Sequence, residues 1–194
     1  QIFREDVDAA AARIALLEEV DAGWFEEPFL GGAYAAYGAL SQRRGKVKVA
    51  GGEASHNFHM AQHLIDYGKV SFIQIDCGRI GGLAPAKRVA DYAVAHGVTY
   101  VNHTFTSHLA LCASLQPYAG LKDHVICEYP FAPKPVAWDM SETHLEPDAN
   151  GEVRVPDAPG LGIAMSKSGI RKYLVDVEIR TKGMLLYRTP DPLA

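Results

Sequence analysis

Short apolar segments alternate with amphipathic segments along residues 1–130, and this alternation restricts the possible fold more than any other feature of the sequence. Each apolar segment and its helix together take about 25 residues, and no Asn-Gly hairpin signal separates successive strands in this region. The pattern therefore predicts an α/β fold in which parallel strands are connected by helices. The predicted strands are 23–28, 46–53, 70–76, 98–103 and 124–130, and the predicted helices are 6–21, 33–44, 56–68, 84–97 and 106–120.

Every predicted strand ends on an acidic residue or a histidine, namely Glu26 or Glu27, Glu53, Asp76, His103 and Glu128. A closed barrel collects functional groups from the carboxyl ends of many strands, whereas an open sheet uses mainly one switch point. The ring of polar ends therefore favours part of a (β/α) barrel. Adjacent residues of a strand point to opposite faces, so only one of the two adjacent glutamates can face this site.

The composition excludes several functional classes. A net charge of −4 and a pI near 6.1 provide no basic surface for nucleic acid. No apolar run is long enough to cross a bilayer and no signal peptide precedes the first helix, so we expect a cytoplasmic protein with no membrane partner. The 3 cysteines lack metal-ligand spacing and are expected to be reduced, mostly buried thiols.

The last third of the chain has a different character. It is rich in Pro, Gly and Asp, with β-like pieces at 152–157 and near 173–180. We therefore predict a division into residues 1–130, which form part of the barrel, and residues 131–194, which form an irregular tail that packs on it.

Converging carboxylates repel one another unless a cation lies among them, and their hard oxygen atoms suit Mg²⁺. Glu26 and Glu53 are the residues that such a site explains most economically. On the next two strands, Asp76 can orient His103 and raise its basicity, as in a general-base pair. Glu128 would face them from the fifth strand.

At these same residues the sequence resembles the enolase superfamily, in its mandelate racemase/muconate lactonizing enzyme branch. The matching motifs are WFEEP at 24–28, VAGGE at 49–53, IDCGRIGG at 75–82, VNHTFTSHLA at 101–110, CEYP at 127–130 and VPDAPGLGI at 155–163. The resemblance implies that the chain holds the last five strands of a (β/α)7β barrel and a tail directed toward a capping domain. It also implies that one metal ligand and a Lys-x-Lys motif precede Gln1, so the chain is expected to be inactive alone.

The resemblance further implies roles for individual residues. Glu26 and Glu53 would bind Mg²⁺, the dyad of His103 and Asp76 would remove the proton α to a carboxylate, and Glu128 would be an acid beside that carboxylate. The implied reaction is dehydration of an acid sugar, an aldonate or aldarate, through an ene-diolate. A racemase or epimerase of a 2-hydroxy acid is the alternative, and superfamily members often form homo-oligomers.

Other interpretations stay open at this point. His56, His59 and His63 have a spacing that suggests zinc, but no H-E-x-x-H glutamate accompanies them. Asp76 could simply cap the turn that follows it. Further predictions are that His56 and Asn57 contact substrate and that Arg79 binds either a substrate carboxylate or a neighbouring acid. A catalytically inactive half-barrel that only binds a ligand is the rival from a different functional class.

Overall fold

The computed structural model describes residues 1–43 and 45–191. A four-stranded sheet of order β1-β2-β3-β4 is parallel throughout, which confirms the predicted α/β series. The last residue of the predicted helix 33–44 lies outside the described residues. The strands are β1 Trp24–Glu26, β2 Lys48–Gly51, β3 Phe72–Ile75 and β4 Thr99–Asn102, and the helices up to residue 115 are α1 Val7–Ala11, α2 Ile14–Glu19, α3 Tyr34–Ser41, α4 Phe58–Asp66, α5 Cys77–Ile80, α6 Leu83–Ala95 and α7 His108–Leu115.

The core lies between the sheet and its helices. Within β3, the buried side chains of Ile73 and Ile75 point toward the helices, and Tyr100 of β4 joins them in one apolar cluster. Alternation along the strand then places Gln74 on the opposite face of the sheet. Because all four strands are parallel, their carboxyl ends lie at one edge, where the predicted site residues follow them.

The first predicted helix, 6–21, is two short helices in the structure. Asp6 caps α1 by accepting a hydrogen bond from the amide of Ala9. At the junction, the amide of Arg13 bonds to the carbonyl of Ala10, three residues back, which tightens the turn. Since no glycine or proline marks this position, the sequence contained no signal for the break.

The predicted fifth strand is wrong for the described residues, because the segment 124–130 forms no strand. Hydrogen bonds from side chains take the place of the backbone hydrogen bonds expected between β4 and this segment. The carboxamide of Asn102 donates to the carbonyl of Glu128 at 3.1 Å and accepts from its amide at 2.9 Å. The hydroxyl of Tyr118, in a 3-10 turn at Gln116–Tyr118, donates to the carbonyl of Ile126 at 2.6 Å. The segment therefore follows β4 without being a strand.

Contacts divide the chain into two compact units, residues 1–104 with 113–128 and residues 105–112 with 129–194. The second unit contains α8 Pro135–Asp139, α9 Lys167–Tyr173 and an antiparallel hairpin of β5 Glu178–Thr181 and β6 Met184–Arg188. The β-like piece predicted at 152–157 is wrong, since no strand forms there. The piece predicted near 173–180 is a strand only from Glu178 onward. The predicted division after residue 130 stays a prediction.

In the described residues, none of the helices has the length and apolar character that spanning a membrane requires. The thiols of Cys77 and Cys112 are buried and that of Cys127 is half-buried, as the sequence predicted. Burial raises the pKa of Cys77 to about 12 and that of Cys127 to about 11, and a neighbouring carboxylate adds to each shift. Both thiols therefore stay protonated at neutral pH.

Candidate active site

The imidazole of His103 lies at the centre of the strand-end cluster in the first unit. Its Nδ1 atom is 2.9 Å from Oδ2 of Asp76, and its Nε2 atom is 3.0 Å from Oε2 of Glu53. The ring is only 4% exposed. Because carboxylates only accept hydrogen bonds, the ring satisfies both contacts only when both of its nitrogen atoms carry a proton. The sequence predicted the pairing with Asp76 but not the contact with Glu53.

Asp76 has two functions, one for each carboxylate oxygen. Its Oδ1 atom accepts hydrogen bonds from the amides of Gly78 at 2.8 Å and Arg79 at 3.0 Å, and so caps α5. Its Oδ2 atom faces His103. The two alternatives left open by the sequence, a helix cap and a histidine partner, are therefore both present. The cap fixes the rotamer of Asp76 and thereby the position of the oxygen that orients the ring.

Arg79 contacts a neighbouring acid, Glu53, which is one of the two partners that the sequence left open. Its guanidinium Nη1 atom is 2.9 Å from Oε1 of Glu53 and 3.3 Å from the carbonyl oxygen of the same residue. The two oxygens of this carboxylate thus face two different side chains, Arg79 and His103. With its side chain 34% exposed, the guanidinium remains within reach of a molecule entering from solvent.

Glu26 is held through one oxygen. Its Oε2 atom accepts hydrogen bonds from the indole of Trp24 at 3.0 Å and from the side-chain nitrogen Nε2 of Gln74 at 2.8 Å. The neighbouring Glu27 points elsewhere and is buried, where its Oε1 atom accepts from the amide of Gly52 at 3.2 Å. Of the two adjacent glutamates, Glu26 therefore faces the cluster and Glu27 links the ends of β1 and β2.

Glu128 approaches the cluster from the segment beside β4. Its Oε2 atom accepts a hydrogen bond from the amide of Thr104 at 3.3 Å. Burial raises its pKa, His103 and the Thr104 amide lower it, and Glu26 and Glu53 raise it further, so that the net shift is upward. The carboxyl group of Glu128 therefore experiences the charges of three other members of the cluster, and its pKa is higher than that of an ordinary glutamate.

The structure gives His56 and Asn57 no hydrogen bond to this cluster among the described residues. Asn57 caps α4 by accepting a hydrogen bond from the amide of Met60 at 3.1 Å, and His56 is exposed. The other two histidines of the spacing that suggests zinc pack against aromatic rings, His59 on Phe58 and His63 on Tyr34. Substrate contact by His56 and Asn57 stays a prediction.

Sequence reasoning missed two residues that organise this site, Gln74 and Asn102. Both are almost fully buried polar residues inside otherwise apolar strands, which was the available signal. Asn102 fixes the backbone at Glu128, and Gln74 holds Glu26. Their partners lie far away in the sequence, Glu26 on β1 and Glu128 in the segment beside β4, so only the folded structure identifies them.

Carboxylate oxygens are the donors that a hard divalent cation such as Mg²⁺ prefers, and Glu26 and Glu53 are the two predicted ligands. Glu26 is the last residue of β1 and Glu53 follows the adjacent parallel strand β2, and within the described residues Oε1 of Glu26 accepts no hydrogen bond. In the part of the chain that the structure describes, no group of three or more His, Cys, Asp or Glu is arranged to hold a metal ion. These residues alone therefore supply an incomplete coordination sphere.

Known proteins share this arrangement of elements. Residues 4–169 match the family model described as Enolase C-terminal domain-like. D-galactarolactone cycloisomerase from Agrobacterium fabrum is 30% identical over 161 residues, covering 77% of this chain and 41% of that protein. D-xylonate dehydratase from Haloferax volcanii is 25% identical over 173 residues, covering 87% of this chain and 41% of that protein.

Among solved structures, that of a predicted mandelate racemase from Rhodobacter sphaeroides is similar, with a TM-score of 0.92 and 63% sequence identity. It covers 98% of this chain, which in turn covers 49% of that one. The chain thus spans about two fifths of the length of the curated relatives it matches.

Proposed function

Because this chain belongs to the Enolase C-terminal domain-like family, we propose that its strand-end cluster removes the proton α to a carboxylate group in a small-molecule substrate. The specific form of the proposal is dehydration of an acid sugar, an aldonate or an aldarate. A relative that acts as a dehydratase supports this class of reaction. Since the chain spans only part of those relatives, the activity is proposed for the whole protein.

The observation that carries the proposal is the position of His103. A nearly buried imidazole whose Nδ1 faces a carboxylate has its ring orientation fixed, and its Nε2 atom becomes the basic one when Nδ1 carries the proton. Asp76 is in turn fixed by capping α5. In the proposed reaction, Nε2 of His103 takes the α proton and Asp76 stabilises the imidazolium that forms.

Before His103 can act as a base, its Nε2 atom must give up to solvent the proton that it shares with Glu53, and the contact between them must open. The other oxygen of Glu53 is already bound by Arg79, which can hold the carboxylate when the contact with the ring opens. Glu26 and Glu53 are the residues that would hold the cation. When bound, Mg²⁺ supplies positive charge for the negative charge that develops on the substrate carboxylate.

Glu128 is proposed as the acid beside the substrate carboxylate. The raised pKa favours its protonated form, which can donate a hydrogen bond to an oxygen that gains negative charge. The β-hydroxyl group of the substrate then leaves. Together the α proton and the hydroxide make one molecule of water, so the dehydration balances.

A cycloisomerase is the second candidate, because the relative from Agrobacterium fabrum acts on a lactone. Its reaction would begin with the same proton abstraction, but the ring oxygen of the lactone would leave instead of a hydroxyl group. The product would have the mass of the substrate, whereas dehydration removes the mass of one water. A racemase or epimerase would also keep the mass but would open no ring.

The test is a screen of the full-length protein with Mg²⁺ over aldonates, aldarates and their lactones, with products identified by mass spectrometry. We expect a product that lacks one water and that forms about 10²–10⁴-fold more slowly in His103→Asn. The matched control is His59→Asn, an exposed histidine on α4. Equal turnover by His103→Asn, or no turnover of any acid sugar or lactone, would contradict the proposal.

The remaining partner expectations are proposals as well. The net charge of −4 argues against nucleic acid as a partner, and the small carboxylate substrate is proposed from the family resemblance. A homo-oligomer is proposed from the family resemblance, and light scattering of the full-length protein would test it.

A further inference from the structure

We propose that Gln74 is a positioning residue for Glu26 in the cation site, an inference that rests on the proposed function. The side-chain nitrogen Nε2 of Gln74 donates to Oε2 of Glu26 at 2.8 Å, and the indole of Trp24 donates to the same oxygen at 3.0 Å. Two N–H donors on Oε2 fix the plane of the carboxylate. They leave Oε1 as the atom that faces a cation.

The sheet makes this contact possible because a small residue separates the two strands. Glu26 pairs with Ala50 of β2, and Ala50 pairs with Phe72, the residue two positions before Gln74. Ala50 is fully buried and its methyl group leaves room above the central strand. Gln74 therefore reaches across β2 to a carboxylate on β1, which two residues on non-adjacent strands rarely do.

The side-chain oxygen of Gln74 distinguishes this residue from an ordinary glutamine in a protein core. Its Oε1 atom is buried and has no hydrogen-bond partner within the described residues. A glutamine selected only for packing would satisfy both ends of its amide or be replaced by an apolar residue. An unpartnered acceptor beside Glu26 therefore indicates a binding site, in which the bound species brings the missing hydrogen-bond donor.

The experiment measures Mn²⁺ binding to the full-length protein, using the electron paramagnetic resonance signal of the free ion, with Mn²⁺ as the probe for a hard divalent cation. Gln74→Met removes the donor at nearly the same volume and is expected to weaken Mn²⁺ binding by about 10–100-fold. Trp24→Phe keeps an aromatic ring against Phe72 and removes the second donor, so a smaller loss is expected.

The matched control is Gln62→Met on α4, which removes a donor to the hydroxyl of Tyr92 away from the cluster and should leave Mn²⁺ affinity unchanged. Gln74→Asn provides a second test should Gln74→Met fail to fold, because its shorter amide does not reach Glu26. A merely structural glutamine would lower the unfolding temperature without changing the Mn²⁺ dissociation constant. A folded Gln74 variant that binds Mn²⁺ within twofold of the unmodified protein would overturn the inference.

Failure of the proposed function gives a different result. If Glu26→Gln and Glu53→Gln bind Mn²⁺ as well as the unmodified protein, or if the unmodified protein binds none, the cation site itself is wrong. The role of Gln74 is then overturned with it. If both glutamate variants lose Mn²⁺ and only the Gln74 variants keep it, the proposed function stands and the inference about Gln74 fails.

Discussion

Carboxylates contact cationic side chains in both compact units, but their surroundings differ. In the first unit, Asp76 and Glu53 flank an imidazole that is 4% exposed, and their own side chains are at most a quarter exposed. In the hairpin of the second unit, Glu178 contacts Arg180 and two nitrogen atoms of Arg188, and all three side chains are well exposed to solvent.

The difference in exposure changes what each group contributes. Exposed ion pairs stabilise a protein by about 0–1 kcal/mol, because water screens the charges and ordering the side chains costs entropy. Buried charged groups lose their hydration, and they persist where a network or a function maintains them. The hairpin carboxylate is therefore explained by its surface position, whereas two carboxylates in contact with a buried histidine call for a chemical role.

The largest expected effect comes from Asp76→Asn in the full-length protein. An asparagine side chain still caps α5 through its oxygen, but it no longer stabilises the imidazolium of His103. We expect turnover of the acid sugar to fall about 10²–10⁴-fold while the unfolding free energy changes by less than about 1 kcal/mol. Steady-state kinetics and urea unfolding measure the two quantities.

The matched control is Asp6→Asn, which changes the capping aspartate of α1 in the same way but lies outside the cluster. It should leave turnover unchanged. Similar kinetic losses in both variants would show that capping, not the contact with His103, accounts for the importance of Asp76.

The next effect concerns stability and compares buried with exposed glutamates. Glu27→Ala leaves the buried amide of Gly52 without its acceptor, so we expect a loss of about 1–3 kcal/mol of unfolding free energy. Glu178→Ala in the hairpin should cost less than about 1 kcal/mol, since its partners stay hydrated. Equal losses in urea unfolding would remove the distinction between the two regions.

A smaller effect depends on pH and involves Glu128. Because its pKa is raised in the folded protein, folding favours the protonated form, and the stabilising contribution is full below the unfolded pKa and is lost as pH rises through the folded pKa. Glu128→Gln should therefore stabilise the protein at pH 7, by less than about 1 kcal/mol for this half-exposed group, and not at pH 4.

Unfolding of Glu128→Gln at the two pH values measures this difference, and Glu152→Gln in the second unit is the exposed control. If the difference in unfolding free energy between Glu128→Gln and the unmodified protein is the same at both pH values, the pKa of the Glu128 carboxyl is not raised by folding.

Much of the fold could be predicted because its signals are local. Period-two and helical spacing located the four parallel strands and their helices, and the polar residue at the end of each strand located Glu26, Glu53, Asp76 and His103. Because parallel strands end at the same edge of a sheet, the convergence of these groups could also be predicted. In the first unit, His103 contacts both Glu53 and Asp76, while the catalytic and metal-binding roles of all four residues stay predictions.

The parts that could not be predicted depend on contacts between distant residues. The segment 124–130 has the composition of a strand, but Asn102 bonds to the backbone of Glu128 through its side chain and takes the place of the ladder. Gln74 reaches Glu26 only because Ala50 lies between them. No local pattern encodes either contact, since each joins residues that are distant in the sequence and adjacent only in the folded chain.

The central claim is that His103 takes the proton α to the substrate carboxylate. The most direct test follows incorporation of deuterium at that carbon by NMR in D₂O, with the full-length protein, Mg²⁺ and a substrate or unreactive analogue found in the screen. The account predicts that the unmodified protein exchanges the α proton and that His103→Asn does not. Exchange at the unmodified rate in His103→Asn would contradict it.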